Sequence, residues 1–321
     1  MKLLPSGIIL KTPAKINLFL HVKGKRSDGY HDIITVMQMV DLWDEIIAEK
    51  SKTLGIICAN PDIPSGQENL VYKAAFRLKE YSGIKTGATI TINKVIPVAA
   101  GLGGGSSDAA ATLFALNVLW GLGYTVDILA AIGRELGSDV PFFLNGPVAL
   151  GYGRGDDLIP LYRHTDYWFL LINPGIHVST AWTYGQFSAN THHSSLITHY
   201  SNWIGPFTET KIELTKGDSH IKISLPDGLR IEGDKIWLLP FNDLEEVVNK
   251  RYPIIREVKE KMVACGAICS LMSGSGSTVF GIFYDRSSAE RAYVTFQKSG
   301  WRLWIVRALD NSPYTYNNYQ T

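Results

Sequence analysis

Residues 97–111 read PVAAGLGGGSSDAAA, with four glycines and two serines between a predicted strand at 88–96 and a predicted alanine-rich helix at 108–120. Glycine lets the backbone turn its N–H groups inward and lets an anion come close. The helix that follows adds unpaired N–H groups and the positive end of its dipole. The order of strand, glycines, paired serines and helix therefore predicts a loop that binds phosphate.

Two common phosphate loops do not fit this run. A Walker loop has a lysine after its last glycine, but Ser106 follows Gly105 here. A dinucleotide fingerprint needs a third glycine three residues after Gly103, where this chain again has Ser106, and no acidic residue follows at the usual distance. The remaining alternative is a glycine-rich turn that Ser106 or Ser107 caps without binding anything.

The composition limits the classes of function. A chain of 321 residues can form one large or two medium domains, and its net charge of +1 argues against binding nucleic acid or membrane surfaces through bulk charge. No apolar run reaches the roughly 20 residues that span a bilayer. Three cysteines without paired spacing favour a reducing, cytoplasmic setting. We expect a cytoplasmic monomer or homodimer that binds a small molecule through local geometry.

Two groups of residues have side chains of the types that bind metals. Cys265 and Cys269 are four residues apart, but no second ligand pair at zinc spacing accompanies them, which favours buried thiols. His192, His193 and His199 lie in a polar segment, where a solvated loop is the favoured interpretation. Neither group predicts a metal centre.

Three stretches of the chain resemble the motifs of one enzyme family. The run at 97–110 resembles the second motif of the GHMP small-molecule kinases, residues 13–18 (PAKINL) the first, and residues 272–280 (MSGSGSTVF) the third. Within this family, residues 26–33 (RSDGYHDI) and 137–143 (GSDVPFF) are similar to one member. That member phosphorylates a polyol linked to cytidine diphosphate in the non-mevalonate isoprenoid pathway.

The resemblance implies an α+β fold with two domains. An N-terminal ATP-binding domain like domain 2 of ribosomal protein S5 would span residues 1–162, and a ferredoxin-like C-terminal domain residues 163–321. Residues from about 186 to 240 depart from the family pattern and predict an inserted β-meander, with strands at 211–214, 220–225 and 229–232 and a hairpin turn at Asp227-Gly228. The tail from Asp310 lacks periodicity, so we expect it to be loose.

The candidate catalytic residues are Lys15 and Asp139. Alternation in the strand at 14–22 puts Lys15 and Asn17 on one face. Asp139 would be the general base of phosphoryl transfer, with Lys15 as its electrostatic partner. The alternatives are an aspartate that caps a helix begun by Pro141 and an ordinary exposed lysine.

A helix start is also predicted at Asn242, with Glu245 completing a capping box.

The resemblance also implies a set of ligand-binding residues. ATP would contact Lys94, Pro97, Gly101, Leu102, Gly103, Gly104, Gly105, Ser106 and Ser107. Lys94 has the alternative of a solvated strand end. A serine hydroxyl, assigned to Ser107, would face Mg²⁺, because the glutamate that other members use has no equivalent here. The substrate would contact Asn17, Tyr30, His31, Tyr184, Gly274, Ser275 and Gly276. Tyr30 would stack on cytosine, His31 would bond its polar edge and Tyr184 would close the other side, unless Tyr184 is a core residue and the Gly-Ser run an ordinary turn.

Three other functions are possible, and one feature of the sequence argues against each. Another kinase of the family, acting on homoserine or a mevalonate-like alcohol, would not need the aromatic and histidine pair at Tyr30 and His31. A catalytically silent protein that binds a nucleotide or sugar would have no chemical need for Lys15 together with Asp139. A nicotinamide-dependent oxidoreductase is disfavoured because the dinucleotide fingerprint fails.

Overall fold

A long antiparallel pair of strands organises the N-terminal half of the molecule. The computed structural model describes residues 1–163, 166–187, 212–215, 229–232 and 235–314. The elements of this half are β1 Lys2–Leu3, β2 Gly7–Lys25, β3 His31–Ser51, β4 Gly55–Cys58, α1 Leu70–Ser82, β5 Gly87–Asn93, α2 Gly104–Leu119, α3 Val126–Leu136, α4 Val140–Asn145, β6 Val148–Gly153 and β7 Asp157–Pro160.

These strands form one sheet whose order is β1-β2-β3-β5-β4, with β6 and β7 continuing from β3. The four helices cover one face of the sheet, and α2 lies at the centre of this layer. Its alanines and leucines are almost entirely buried because the small side chains let the neighbouring helices and the sheet approach closely. A central, rigid α2 fixes the position of the glycine run at its N-terminus.

The C-terminal half contains a second sheet. Its elements are β8 Tyr162–Arg163, β9 Trp168–Asn173, α5 Thr180–Gln186, β10 Ile212–Thr215, β11 Leu229–Glu232, β12 Lys235–Leu238, β13 Phe241–Asn242, α6 Leu244–Arg251, α7 Ile254–Ala264, β14 Cys269–Met272, β15 Val279–Phe283, α8 Arg286–Phe296, a 3₁₀ turn Gln297–Ser299 and β16 Arg302–Arg307. The antiparallel order β14-β15-β9-β16 is that of a ferredoxin-like sheet. The expected α+β fold with its two halves is confirmed.

The two halves share a core. Ile16 and Leu18 of β2 pack in one cluster with Phe169 of β9 and Phe280 of β15, all of them buried. β13 also adds to β2 in parallel, through Phe241 opposite Phe19. The strand that carries Lys15 is therefore held from both halves of the chain.

The region predicted as an inserted meander is described in part. β11, β12, β10 and β8 form a four-stranded antiparallel sheet in that order. Strands at 212–215 and 229–232 agree with the prediction, whereas β12 was not predicted. The predicted strand at 220–225, the turn at Asp227-Gly228 and the histidines His192, His193 and His199 lie outside the described residues.

Two local predictions were wrong. Glu245 does not complete a capping box, because its carboxylate accepts the N–H of Met272 at 2.6 Å and pairs with Lys259. The tail is not loose as far as it is described: Tyr314 is 1% exposed and packs on Phe114 of α2. A tyrosine isolated in a polar stretch gives no periodic signal, so its burial could not be deduced from the pattern.

Candidate active site

One cavity of about 980 Å³ lies between the two halves of the molecule and brings most of the predicted residues together. Of the predicted residues, its lining contains Lys15, Asn17, Tyr30, His31, Lys94, Pro97, Gly101, Gly103, Gly104, Gly105, Ser106, Asp139, Tyr184, Gly274 and Ser275. Leu102, Ser107 and Gly276 are not part of this lining. The cavity thus joins the glycine run, the predicted catalytic pair and the Tyr30-His31 pair in one space.

The glycine run forms the N-terminal turn of α2. Gly103 is the N-cap residue with φ +69°, and no side chain caps the helix. This excludes the alternative in which Ser106 or Ser107 caps a simple turn. The N–H of Ser107 donates to the carbonyl of Gly103 at 2.9 Å, which begins the helical ladder. The N–H groups that precede it in α2 lie at the positive end of the helix dipole, where an anion is favoured.

The second Gly-Ser loop, residues 273–277, packs directly on the first. The Ser273 hydroxyl donates to the carbonyl of Gly101 at 2.8 Å, and a Cβ on Gly101 would lie only 1.9 Å from the carbonyl oxygen of Ser273. Gly101 also has φ +77°, which glycine adopts without strain. Gly101 is therefore required by the contact between the loops, whatever ligand binds.

The predicted partners Lys15 and Asp139 meet at the middle of the cavity. The Lys15 Nζ lies 3.5 Å from Oδ2 of Asp139, and the lysine side chain is buried. Asp139 occupies the N-cap position of α4, yet its side chain makes no capping hydrogen bond. The helix-capping alternative for Asp139 and the exposed-lysine alternative for Lys15 do not describe this arrangement.

Asn17 holds the lysine in place. Its Oδ1 accepts from the Lys15 Nζ at 2.6 Å, and its Nδ2 donates to the Thr35 hydroxyl at 2.9 Å. The Thr35 hydroxyl in turn donates to the carbonyl of Phe19 at 2.7 Å. The sequence predicts Asn17 as a substrate ligand, whereas in the structure both ends of its amide are used to orient Lys15.

Three residues that were predicted to contact ligands contact other parts of the protein instead. The Ser107 hydroxyl is fully buried, donates to the carbonyl of Pro13 at 2.6 Å and contacts the Thr12 hydroxyl. The prediction that Ser107 binds phosphate or faces Mg²⁺ is therefore wrong. Leu102 is also buried, and its carbonyl accepts the N–H of Lys15 at 3.0 Å. Gly276 faces Met272, whose sulfur would lie 2.5 Å from an added Cβ.

Lys94 lies between two buried aspartates beneath the glycine run. Its Nζ bonds to Oδ2 of Asp108 at 2.8 Å and pairs with Asp44, so it is not a solvated strand end. Burial raises the pKa of Asp108 to about 7, against the attraction of Lys94. Burial opposes the charge on Lys94, but the two carboxylates prevail and raise its pKa. Lys94 lines the cavity as a cation whose charge is locally compensated.

The predicted cytosine-binding residues lie at one end of the cavity. The Tyr30 ring is 51% exposed, while the rings of His31 and Tyr184 are 5.1 Å apart. Burial, together with the charge of Lys25, lowers the pKa of His31. Burial also raises the pKa of Tyr184, and the nearby charges of Asp139 and Asp243 add to this effect. Both side chains are therefore neutral near pH 7 and offer hydrogen bonds without charge.

Two features of the cavity were not predicted from the sequence. Arg154, in the run GYGRG, places its guanidinium 4.0 Å from the centre of the Tyr30 ring. The opposite end is lined by the apolar residues Ile63, Pro64, Leu70, Val71, Ile92 and Val98, together with Asp62, Glu68 and Asn69. The dense glycines around Arg154 were a usable signal, whereas residues 63–71 form a wall only after folding.

Clustered metal ligands and membrane-spanning helices are both absent from the residues that the structure describes. No group of three or more His, Cys, Asp or Glu side chains there is arranged to hold a metal ion. Within the same residues, no helix has the length and apolar character needed to cross a membrane.

Burial raises the pKa of the Cys269 thiol to about 12, which keeps the thiol protonated.

Comparison with known proteins agrees with this geometry. The family models "GHMP kinases N terminal domain" and "GHMP kinases C terminal" match residues 69–147 and 232–300. The 4-diphosphocytidyl-2-C-methyl-D-erythritol kinase of Geobacter sp. is 43% identical over 94% of this chain and 98% of its own length. That of Thermodesulfovibrio yellowstonii is 41% identical over 93% of this chain and 97% of its own.

Solved structures give the same result. A crystal structure of 4-(cytidine 5'-diphospho)-2C-methyl-D-erythritol kinase, 32% identical, matches with a TM-score of 0.68 over 94% of this chain and 99% of that one. A homoserine kinase from Cytophaga hutchinsonii also reaches 0.68, over 97% of both chains, but at 19% identity it shows the fold alone. The chain therefore belongs to the GHMP kinases and, within them, to the 4-diphosphocytidyl-2-C-methyl-D-erythritol kinases.

Proposed function

We propose that this protein uses ATP to phosphorylate the 2-hydroxyl of 4-diphosphocytidyl-2-C-methyl-D-erythritol, a step of isopentenyl diphosphate biosynthesis. One observation carries the proposal. The Lys15–Asp139 pair lies in a single cavity between the glycine run and the Tyr30-His31 end. A phosphoryl donor bound at the first and a cytidine-linked acceptor bound at the second would meet at the pair.

The donor end suits ATP. The apolar side chains of Ile63, Pro64, Leu70 and Val71 would cover the adenine, and the phosphates would lie on the N–H groups at the start of α2. Gly105 has open space where a side chain would stand, so a phosphate can approach its backbone. Lys94 lies below the same turn, where its ion pairs with Asp44 and Asp108 hold it in place.

Magnesium would be held at this turn by oxygen donors other than Ser107. Asp108 lines the cavity, and its Oδ1 is buried without a hydrogen-bond partner among the described residues. Ser106 also lines the cavity, but it lies only two residues earlier in the same helix, so its side chain points about 160° away from that of Asp108. We assign Asp108 to an oxygen-preferring cation, whose other ligands would be the phosphates, and the cation would supply charge neutralisation.

Phosphoryl transfer needs a base that takes the proton of the acceptor hydroxyl. Asp139 fills this role because its carboxylate is about one-third exposed, faces the cavity and is not used for capping. Lys15 faces the carboxylate and orients it, while Asn17 and Thr35 hold the lysine. The chain thus supplies a positioned base and an electrostatic partner.

The acceptor end is suited to cytidine diphosphate. Tyr30 offers an exposed ring for stacking, and His31 and Tyr184 offer neutral polar groups against the base edge. Arg154 adds a cation at this end, and its Nε is buried without a hydrogen-bond partner among the described residues. An anionic diphosphate would satisfy that group. We therefore assign Arg154 to the substrate together with the aromatic residues.

The test is turnover of ATP by the purified protein with the cytidine-linked acceptor, run beside homoserine and mevalonate. We expect turnover with the first acceptor alone. Turnover with homoserine or mevalonate instead would replace the proposed substrate by that of another family member. Tight ATP binding without turnover on any acceptor would favour a silent binding protein.

A further inference from the structure

We propose that Tyr314, in the C-terminal segment that sequence patterning assigns to a loose tail, is a positioning residue for the ATP phosphates. This role requires no contact between Tyr314 and the nucleotide. Its hydroxyl starts a buried chain of hydrogen bonds that ends where β2 meets the N-terminal turn of α2. The proposal rests on the proposed use of ATP and adds to it a residue far from the motifs of the family.

The chain consists of three hydroxyl groups and one carbonyl. The Tyr314 hydroxyl donates to Oγ1 of Thr12 at 2.9 Å, the Thr12 hydroxyl contacts that of Ser107, and the Ser107 hydroxyl donates to the carbonyl of Pro13 at 2.6 Å. Thr12, Ser107 and Tyr314 are each at most 1% exposed. The chain is thus shielded from water, which would otherwise compete for each bond.

The direction of the chain follows from counting protons. Each hydroxyl carries one proton, and a carbonyl oxygen can only accept. Because Ser107 gives its proton to Pro13, it must accept the proton of Thr12, and Thr12 must accept that of Tyr314. All donors therefore point the same way, from Tyr314 toward β2. Such a chain polarises each member in the same sense and strengthens the last bond.

The last bond lies at a junction that matters for the site. Pro13 is two residues before Lys15 on β2, and Ser107 belongs to the first turn of α2. A second bond, from the N–H of Lys15 to the carbonyl of Leu102, joins the same strand to the glycine run. These two bonds fix the distance between the lysine and the phosphate-binding turn. Ser107 thus acts through position, although it does not face the cavity.

The C-terminal segment is itself fixed to the fold. Tyr314 packs on Phe114 of α2 with ring centres 5.4 Å apart. Leu309 exchanges hydrogen bonds with β3, since its N–H donates to the carbonyl of Met39 and its own carbonyl accepts from Gln38. Residues 308–314 contact β3 at one end and α2 at the other. These contacts fix the position of Tyr314 beside Thr12.

The test replaces one hydroxyl and measures nucleotide affinity. Tyr314→Phe keeps the ring and its packing, and Tyr167→Phe, which changes another buried tyrosine in the core shared by the two halves, is the matched control. We expect Tyr314→Phe to raise the Kd for ATP, measured by calorimetry, about fivefold, because one neutral hydrogen bond is lost. The KM for ATP should rise by the same factor. The KM for the acceptor should stay within twofold of wild type. The control Tyr167→Phe should leave ATP binding and the two KM values unchanged.

A double-mutant cycle separates positioning from general stability. Thr12→Val breaks the chain at its second link, so adding Tyr314→Phe to it should weaken ATP binding no further. Unchanged ATP affinity in Tyr314→Phe, equal changes in the KM values of both substrates, or additive effects in the double variant would each overturn the proposal. Absence of acceptor turnover in the wild type would instead refute the proposed function, because the ATP-binding comparison needs no turnover.

Discussion

The carboxylate of Asp139 stands at the start of α4 without capping it, and it lies 3.5 Å from the ammonium group of Lys15. An aspartate at an N-cap position ordinarily bonds to the N–H groups of the first turn. Here the carboxylate gives up those bonds and faces a cation in the cavity. The helix therefore serves to place the carboxylate, and the lysine rather than the helix determines its direction.

We expect Asp139→Asn to lower kcat by about 10²- to 10⁴-fold, the usual contribution of a general base. The amide keeps the shape of the carboxyl group but cannot take a proton, so the KM values for ATP and acceptor should change little. Steady-state kinetics measures all three quantities. Asp157→Asn, at an aspartate that pairs with Arg134 on the surface, is the control. A kcat within tenfold of wild type for Asp139→Asn would remove Asp139 as the base.

The glycines at 101–105 should separate into two kinds. Gly101→Ala should lower the free energy of unfolding by more than about 2 kcal/mol, since the new Cβ would meet the Ser273 carbonyl at a left-handed backbone position. Gly105→Ala meets nothing within 4 Å, so the fold should be unchanged while the KM for ATP rises. Urea denaturation and ATP kinetics measure the two effects. Loss of stability in Gly105→Ala would contradict this division.

The motifs of this chain could be read from sequence because they depend on local chemistry. Glycines, serines and a helix start predict a phosphate loop, and alternation puts Lys15 and Asn17 on one face of β2. Ser107 shows the limit. Two adjacent serines in a loop look alike in sequence, but on a helix they point about 100° apart, so one faces the cavity and the other the core.

Contacts between distant segments could not be predicted. The place of Lys94 depends on Asp44, which lies 50 positions earlier on β3, and the place of Tyr314 depends on Thr12, 302 positions earlier. No period or motif links such pairs, because their proximity results from the topology of the sheet. The cavity wall formed by Ile63, Pro64, Leu70 and Val71 has the same origin.

The buried triad of Asp44, Lys94 and Asp108 predicts an unusual pH dependence. Lys94→Met leaves two carboxylates without their cation, which should cost about 3–5 kcal/mol in the free energy of unfolding at pH 8. The loss should be smaller at pH 5. Asp108 has a pKa of about 7 even with the lysine present, and removing the lysine raises it further above the unfolded value, so protons favour the folded variant at low pH.

Urea denaturation at the two pH values measures this effect. Lys250→Met is the control, because Lys250 pairs with Glu246 on an exposed helix surface, where ion pairs contribute little. An equal loss of stability at pH 5 and pH 8 in Lys94→Met would show that the carboxylates do not titrate in the folded protein.

Arg154 gives a prediction about the acceptor. If its guanidinium binds the diphosphate, Arg154→Gln should raise the KM for the cytidine-linked acceptor by about 10- to 100-fold, since a hydrogen bond to a charged group contributes about 1.5–3 kcal/mol. The KM for ATP should not change, because Arg154 lies at the other end of the cavity beside Tyr30. The same substitution at Arg134, on the surface of α3, should leave both constants unchanged.

Binding of two inhibitors then separates charge from stacking. CDP carries the diphosphate and cytidine does not, while both present the same base to Tyr30. Arg154→Gln should weaken inhibition by CDP and leave inhibition by cytidine within about twofold, since neutral stacking is retained. If both inhibitors weaken equally, Arg154 acts by holding the Tyr30 ring through its cation–π contact, and the diphosphate must find its positive charge elsewhere.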